Sequence, residues 1–186
     1  VEPQVMHLPD YLQAQVSPSK IAVGRSGVIT ISLDSRKLRD FGLSQTSVYL
    51  GLYPGDKVSP DKEIPVSAVL LPDFRNMTDE AKAAAPRMQL SATTLEMGSF
   101  DGKKKKKAEI TITNTGRTTL EISSIQMFTE GLQLSLSSKT LAPGATSKLK
   151  VTAIASELKK VRTQPRILMI TNDPQNAKVS IAVNIK

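Results

Sequence analysis

The stretch Glu109-Ile-Thr-Ile-Thr-Asn-Thr-Gly116 decides the fold class of this 186-residue chain. Its isoleucines alternate with glutamate and threonine, so one side of a β-strand would face a core and the other side would face water. The Asn-Thr-Gly at its end has the composition of a tight turn. Similar runs follow at 132–136, 149–153, 168–170 and 179–185, with turn residues between them. Short alternating strands of this number predict an antiparallel β-sandwich.

The first half of the chain repeats this pattern and predicts a second copy of the same module. Residues 19–24 align with residues 139–144 at an offset of 120, and the turn glycines Gly24 and Gly144 coincide. At the same offset three alternating apolar residues match three others: Ile29, Ile31 and Leu33 fall on Leu149, Val151 and Ala153. At an offset of 118, Leu50 and Leu52 fall on Leu168 and Ile170. Self-similarity at a constant spacing is typical of repeated domains.

The predicted organisation is two tandem immunoglobulin-like β-sandwich domains, at residues 1–75 and 87–186. Residues 76–86 lose the alternation and form a linker, in which Thr78 is a suitable N-cap for a short helix. The second copy has about 34 residues before the position that matches Val1, including two predicted strands near 88–95 and 107–114. The first domain is therefore expected to lack its N-terminal strands. Our hypothesis is that the natural protein continues upstream of Val1 and this chain is a fragment, or that those strands are disordered or borrowed from another molecule.

Three landmarks of the second domain resemble a known family: Ile112-Thr-Asn-Thr-Gly116, Leu141-Ala-Pro-Gly144 and Leu168-Met-Ile-Thr-Asn-Asp-Pro174. Their order is similar to that in hydin-like immunoglobulin-type modules, in particular an uncharacterised bacterial family found in cell-envelope proteins. The resemblance implies a periplasmic or cell-envelope location and a non-catalytic role as a structural or protein-interaction module. Its partner would be another envelope protein or an upstream domain of the same protein. The resemblance supplies no functional residues.

The composition argues against an enzyme. The chain has no cysteine and one histidine, His7, so thiolate chemistry, disulfides and multi-histidine metal sites are excluded within one chain, and a Ser-His-Asp arrangement has little support. We predict no catalytic residues, no cofactor and no metal site. Asp56, Asp61 and Glu63 form an oxygen-rich loop that could suit calcium, but their spacing matches no EF-hand and a solvated loop is the simpler interpretation. No apolar run approaches the roughly 20 residues that cross a bilayer.

The chain's net charge of +8 originates in the second domain: residues 87–186 hold sixteen Lys or Arg against seven Asp or Glu, a surplus of nine, while residues 1–75 are balanced and the linker carries one negative charge. The candidate anion-binding residues are Lys103, Lys104, Lys105, Lys106, Lys107, Lys159, Lys160, Arg162 and Arg166. They suggest an alternative function, the binding of a phosphorylated glycan, a lipid head group or nucleic acid. An aromatic content of 4% argues against nucleic acid, which is commonly bound by stacking. The simpler interpretation is that the lysines protect an exposed strand edge from pairing.

Overall fold

The computed structural model describes every residue from Val1 to Lys186 and divides into two compact units, Val1–Leu70 and Leu71–Lys186. Nearly all regular structure in both units is β-strand, and all strand pairs except one are antiparallel. The prediction of an all-β, immunoglobulin-like chain is confirmed. No helix of the chain has the length and apolar character needed to cross a membrane.

The first unit contains five strands and two short 3-10 turns. The strands are β1 (Gln4–Met6), β2 (Leu12–Ser17), β3 (Val28–Leu33), β4 (Gly42–Gly51) and β5 (Glu63–Leu70), and the turns are Ser35–Lys37 and Pro60–Lys62. One sheet has the order β1-β4-β5, and the other consists of the hairpin β2-β3. Only two apolar side chains of this unit, Leu12 and Val48, are fully buried.

The second unit contains nine strands and two short helices. In chain order they are α1 (Asp79–Ala83), β6 (Met88–Leu90), β7 (Thr94–Gly98), β8 (Lys105–Asn114), β9 (Leu120–Met127), β10 (Leu132–Leu136), β11 (Thr140–Leu141), β12 (Thr146–Ile154), α2 (Ala155–Leu158), β13 (Arg166–Thr171) and β14 (Lys178–Ile185). The two sheets have the orders β10-β12-β8-β6 and β11-β9-β13-β14-β7. The alternate apolar residues of both sheets form one continuous buried core, which is the sandwich that the alternation predicts.

The internal repeat is present in the strand pairing itself. In β2 and β3 the paired residues run from Leu12 with Leu33 to Val16 with Ile29. Adding 120 to each number gives the pairs of β10 and β12, from Leu132 with Ala153 to Leu136 with Leu149. Two hairpins with the same register at a constant offset confirm that the units are copies of one module.

The repeat needs one correction further along the chain. Val5 of β1 pairs with Leu50, and Ile125 of β9 pairs with Met169. Val5 and Ile125 are equivalent at the offset of 120, so their partners Leu50 and Met169 are equivalent too, at an offset of 119. The predicted match of Leu50 to Leu168 was therefore wrong by one residue. Such a slip moves a side chain to the other face of a strand. The sequence alignment could not detect this shift of one residue, because residues 167–170 are all apolar and fully buried and therefore show no alternation.

The first unit has no counterpart of β6, β7 and β8, as expected from the alignment. In the second unit β8 pairs with β12 over nine residues, and β7 pairs in parallel with β14. In the first unit β3 pairs only with β2, and β5 pairs only with β4. β3 and β5 therefore each have one edge with no neighbouring strand.

Residues 76–86, predicted as a linker, are packed within the second unit. Thr78 caps α1, because its Oγ1 accepts a hydrogen bond from the backbone N–H of Ala81 at 3.1 Å. Beyond the helix, Ala85 and Pro86 are buried. The single strand expected near 88–95 is instead two, β6 and β7, which belong to different sheets. Alternation gives no sign of such a crossing, because both strands bury alternate residues in the same core.

Candidate functional site

The first candidate surface is the free edge of β3. Its inward residues Ile29 and Ile31 are half-exposed, whereas the matching residues of the second unit, Leu149 and Val151, are fully buried. The difference arises because β8 lies beside β12 whereas no strand lies beside β3 on the corresponding side. At the ends of the strand, Val28 is 65% exposed and Leu33 is 37% exposed. An uncovered strand of this kind presents unpaired backbone groups together with apolar side chains.

The free edge of β5 has a different chemistry. The strand contains Pro65, which has no backbone N–H to donate, and it begins with the charged residue Glu63. Proline and charge are two of the devices by which proteins discourage the pairing of an edge strand. β3 contains neither a proline nor a charged residue.

The second candidate surface, which we call the lysine groove, lies in the second unit. It has a volume of about 670 Å³, and its basic lining residues are Lys103, Lys104, Lys105, Lys159 and Lys186. Phe100 and Ile154 add an apolar wall, and Asp101 is the one acidic side chain that lines it. The backbone N–H of Ala155 donates to the carbonyl of Lys104 at 3.0 Å, which holds the lysine run beside α2. None of the five lysines forms an ion pair.

The structure separates the other predicted anion-binding residues from this groove. Lys106 donates to the carbonyl of Met97, and Lys107 lines a separate cavity of about 680 Å³ with Lys150 and Glu109. Arg162 lines another depression, with Glu96. Two more, Lys160 and Arg166, are exposed elsewhere. The prediction missed Lys186, which the parallel pairing of β14 with β7 carries into the groove and which no sequence motif marks.

His7 and Asp56, the histidine and the loop aspartate considered in the sequence, each interact with other residues of the first unit. The His7 ring meets the Tyr49 ring edge-on, with 5.4 Å between the ring centroids. Asp56 accepts hydrogen bonds from the backbone N–H of Leu52 and from Lys62 Nζ, both at 2.8 Å. These bonds, led by the one from Leu52, lower the pKa of the Asp56 carboxyl to about 2. The carboxylate therefore holds its own loop in place. The chain contains no group of three His, Cys, Asp or Glu side chains arranged to hold a metal ion.

Comparison with known proteins identifies the fold family. The model of the HYDIN/CFA65/VesB-like Ig-like domain matches residues 86–184, more than half of the chain. The chain belongs to this family. The resemblance of the three landmarks to hydin-like modules is thereby confirmed.

Solved structures extend the likeness of fold to both units of this HYDIN/CFA65/VesB-like protein. The crystal structure of a protein of unknown function from Porphyromonas gingivalis W83 aligns with this chain at 23% sequence identity and a TM-score of 0.74. The alignment covers 99% of this chain and 84% of the Porphyromonas gingivalis chain. The secreted serine protease VesC from Vibrio cholerae aligns at 12% identity and a TM-score of 0.37, over 67% of this chain and 27% of the VesC chain. The first likeness supports the tandem fold, and the second is too weak to carry an argument. No curated protein matches the sequence.

In the Ig-like domain of the second unit, the first landmark contains a buried hydrogen-bonding residue, Asn114. Its amide NH₂ donates to the carbonyls of Thr118 and Leu141 at 2.8 and 2.9 Å, and its Oδ1 accepts from the backbone N–H of Gly116 at 3.0 Å. The same oxygen accepts from the N–H of Arg87 at 3.3 Å. Asn114 therefore joins the end of β8 to β11 and to the segment before β6.

The last landmark contains Asp173, which is also fully buried. Its carboxylate accepts from the backbone N–H of Met88 at 2.8 Å, from Asn176 Nδ2 at 2.8 Å and from the N–H of Gln175 at 2.9 Å. Arg87 Nη1 donates to Asp173 Oδ1 at 3.2 Å. Burial by itself would raise the pKa of Asp173, but these hydrogen bonds and the Arg87 charge together hold it below its ordinary value. The buried landmark residues Asn114 and Asp173 therefore have a structural role, because their hydrogen bonds stabilise the sandwich.

Proposed function

We propose that this protein is a non-catalytic interaction module of the bacterial cell envelope, and that the sheet edges of its first unit pair with a strand of another envelope protein or of an upstream domain of the same protein. One observation carries the proposal: β3 and β5 lack the strand neighbours that their counterparts β12 and β14 have in the same chain. A free edge offers a row of N–H and C=O groups to an incoming strand, and many proteins recognise extended segments in this way. The envelope location rests on the resemblance of the three landmarks to modules of envelope proteins.

Site-specific photo-cross-linking in cells that make the protein tests this proposal. A benzophenone amino acid at Val28 on β3 or at exposed Ser67 on β5 should give a cross-linked product that mass spectrometry assigns to a strand of another protein or of a segment upstream of Val1. The matched control is the same group at Tyr53, which is 57% exposed but lies in the turn after β4. Products from Tyr53 equal to those from both edge positions, or no product from either edge, would contradict the proposal.

The second candidate function is the binding of a phosphate- or sulfate-bearing ligand in the lysine groove. It is favoured by five unpaired lysines beside a single aspartate, because such a cluster repels itself until an anion occupies it. The competing interpretation, edge protection, is compatible with Lys105 to Lys107: this part of β8 pairs with β12 on one side, while β6 begins its pairing only at Ile112.

Heparin chromatography distinguishes a groove from a merely basic protein. Replacing Lys104, Lys105 and Lys159 by serine should remove about two to three units from the slope of log affinity against log salt, because each phosphate-like contact contributes about 0.9. The control replaces three exposed lysines outside the groove, Lys139, Lys150 and Lys178, and changes the net charge equally. If both triple variants elute at the same salt concentration, retention follows net charge and the groove is no binding site.

A further inference from the structure

We infer that the lysine groove binds an amphiphile with at least two phosphate groups, whose phosphates contact the lysines and whose apolar part packs against Phe100 and Ile154. This inference rests on the second candidate function and names the ligand class of that groove. All residues that line the groove belong to the second unit, in which both sheets of the sandwich are present. The free edges of the first unit therefore have no bearing on it.

The main chain holds all five lysines of the groove in place. Lys105 pairs with Ile154 at the end of the β8–β12 ladder, and the carbonyl of Lys104 accepts from the N–H of Ala155 at 3.0 Å. The other three lysines each donate a backbone hydrogen bond: Lys103 to the carbonyl of Phe100 at 2.9 Å, Lys159 to that of Ala155 at 3.2 Å and Lys186 to that of Gly98 at 3.0 Å. A ligand would therefore have to order only side chains, and such preorganisation lowers the entropic cost of binding.

The charge of the groove favours more than one phosphate. Five lysine side chains against the one carboxylate of Asp101 leave a net side-chain charge of +4. A phosphate monoester carries about −1.5 to −2 at neutral pH, so a single one balances at most half of this charge. Lysines elsewhere in the chain, such as Lys62 and Lys148, have carboxylate partners, whereas the groove lysines have none. Each ammonium group can donate three hydrogen bonds, enough in total for the oxygens of several phosphates.

The apolar wall favours an amphiphile over a fully hydrated anion. Phe100 packs in part against the core and remains half-exposed, and Ile154 and Ala155 are also half-exposed where they line the groove. An inorganic anion would leave this apolar surface in water, whereas an apolar group of a ligand would cover it. The groove volume of about 670 Å³ lies within the range of about 300–1,000 Å³ that is usual for small-molecule sites.

Nucleic acid matches the groove less well than an amphiphile does. Proteins that bind single strands usually stack successive bases on several aromatic rings. Phe100 is the one aromatic side chain that lines the groove. A single ring beside an aliphatic side chain suits one apolar group next to a compact cluster of phosphates.

Isothermal titration calorimetry of the full chain with three soluble probes tests the inference. Glycerophosphoinositol has one phosphate group, and glycerophosphoinositol 4-phosphate has two. Dihexanoyl phosphatidylinositol 4-phosphate, used below the concentration at which it forms micelles, adds two short acyl chains to the second probe. The series therefore adds a phosphate and then an apolar part. We expect each addition to raise the affinity by about tenfold, through charge-assisted hydrogen bonds in the first step and apolar burial in the second.

Two variants assign the two steps to the groove. Serine at Lys104, Lys105 and Lys159 should lower the affinity for both bisphosphorylated probes by at least about tenfold, because these side chains supply the phosphate contacts. All three are exposed, so the fold should be unchanged. The matched control is the triple variant used as the control in heparin chromatography, which has the same net charge and should bind all probes normally. The variant Ile154→Thr keeps a β-branched residue in β12 and should weaken the acylated probe alone.

Flotation with phosphatidylcholine vesicles that contain phosphatidylinositol 4-phosphate distinguishes two sources of the ligand. Protein that floats with these vesicles, but not with phosphatidylcholine alone, binds the amphiphile as a membrane lipid. Protein that binds the short-chain probe and does not float takes a soluble amphiphile. Both results support the inference.

Two results would overturn the inference and leave the second candidate function intact: equal affinity for the probes with one and two phosphates, or no gain from the acyl chains. If none of the probes binds, or if the control variant loses as much affinity as the groove variant, the groove is no phosphate site and both fail. The cross-linking of the sheet edges is independent of either result.

Discussion

Replacing Asp173 with alanine should lower the free energy of unfolding of the second unit by about 3 kcal/mol, because it removes an acceptor of several hydrogen bonds from a buried position. The carboxylate is fully buried and accepts hydrogen bonds from Met88, Gln175 and Asn176, so the substitution leaves the buried N–H of Met88 and two partly buried donors without their acceptor. Urea unfolding followed by circular dichroism measures the change. The exposed residue Glu130 provides the control, since E130A should change stability by less than about 0.5 kcal/mol.

The pH dependence of the same variant separates an electrostatic role from simple packing. The pKa of Asp173 is lower in the folded protein than its ordinary value of 3.8. A lowered pKa contributes stability that is fully present above the unfolded value and is lost as the pH falls through the folded value. The stability difference between D173A and the unmodified chain should therefore be constant near neutral pH and shrink below about pH 4. A difference that stays constant down to the acid-unfolding limit would show that the carboxylate charge contributes nothing.

Replacing Gly116 with alanine should cost about 3 kcal/mol, because the new methyl group has no space. A Cβ at this position would lie 2.4 Å from the backbone nitrogen of Arg87 and 2.5 Å from the carbonyl oxygen of Ala85. Both atoms belong to the main chain, and they take part in the packing of the segment before β6 against the turn after β8. Accommodating the methyl group requires the backbone to shift, as in other overpacked sites. Thermal or urea unfolding of G116A measures the loss.

Gly144 provides the comparison for Gly116. Its Cβ would meet nothing within 4 Å, but its φ of +79° is a conformation that side chains disfavour. G144A should therefore cost only about 1–2 kcal/mol, the strain of a left-handed residue. If G144A proved more destabilising than G116A, the close approach at Gly116 would not be the dominant effect.

Strand alternation and the internal repeat carried most of the fold prediction. The offset of 120 predicted two copies of one module, and the structure shows β2 paired with β3 in the register of β10 with β12. This worked because register follows from the face on which apolar residues lie. It failed by one residue at Leu50, whose counterpart lies in a strand buried on both sides.

The basic residues show where sequence neighbourhood misleads. Lys103 to Lys107 were predicted as one cluster, yet Lys106 donates to the Met97 carbonyl and Lys107 lies outside the lysine groove. Successive residues of a strand point to opposite faces, so a continuous run within β8 cannot present all its charges to one ligand. Lys186 enters the groove from the far end of the chain, which only strand pairing could reveal.

By itself, the sequence determined the fold class, the tandem repeat and the absence of β6–β8 counterparts in the first unit, because local alternation and turn residues record which side of each strand is buried. The tertiary structure alone decided that β3 and β5 keep free edges, that four of the nine predicted basic residues meet in one groove with Lys186, and that Asn114 and Asp173 hold the sandwich. These features depend on contacts between residues far apart in the chain. Such contacts are set by sheet order, and no periodicity within a strand encodes which strand lies beside it.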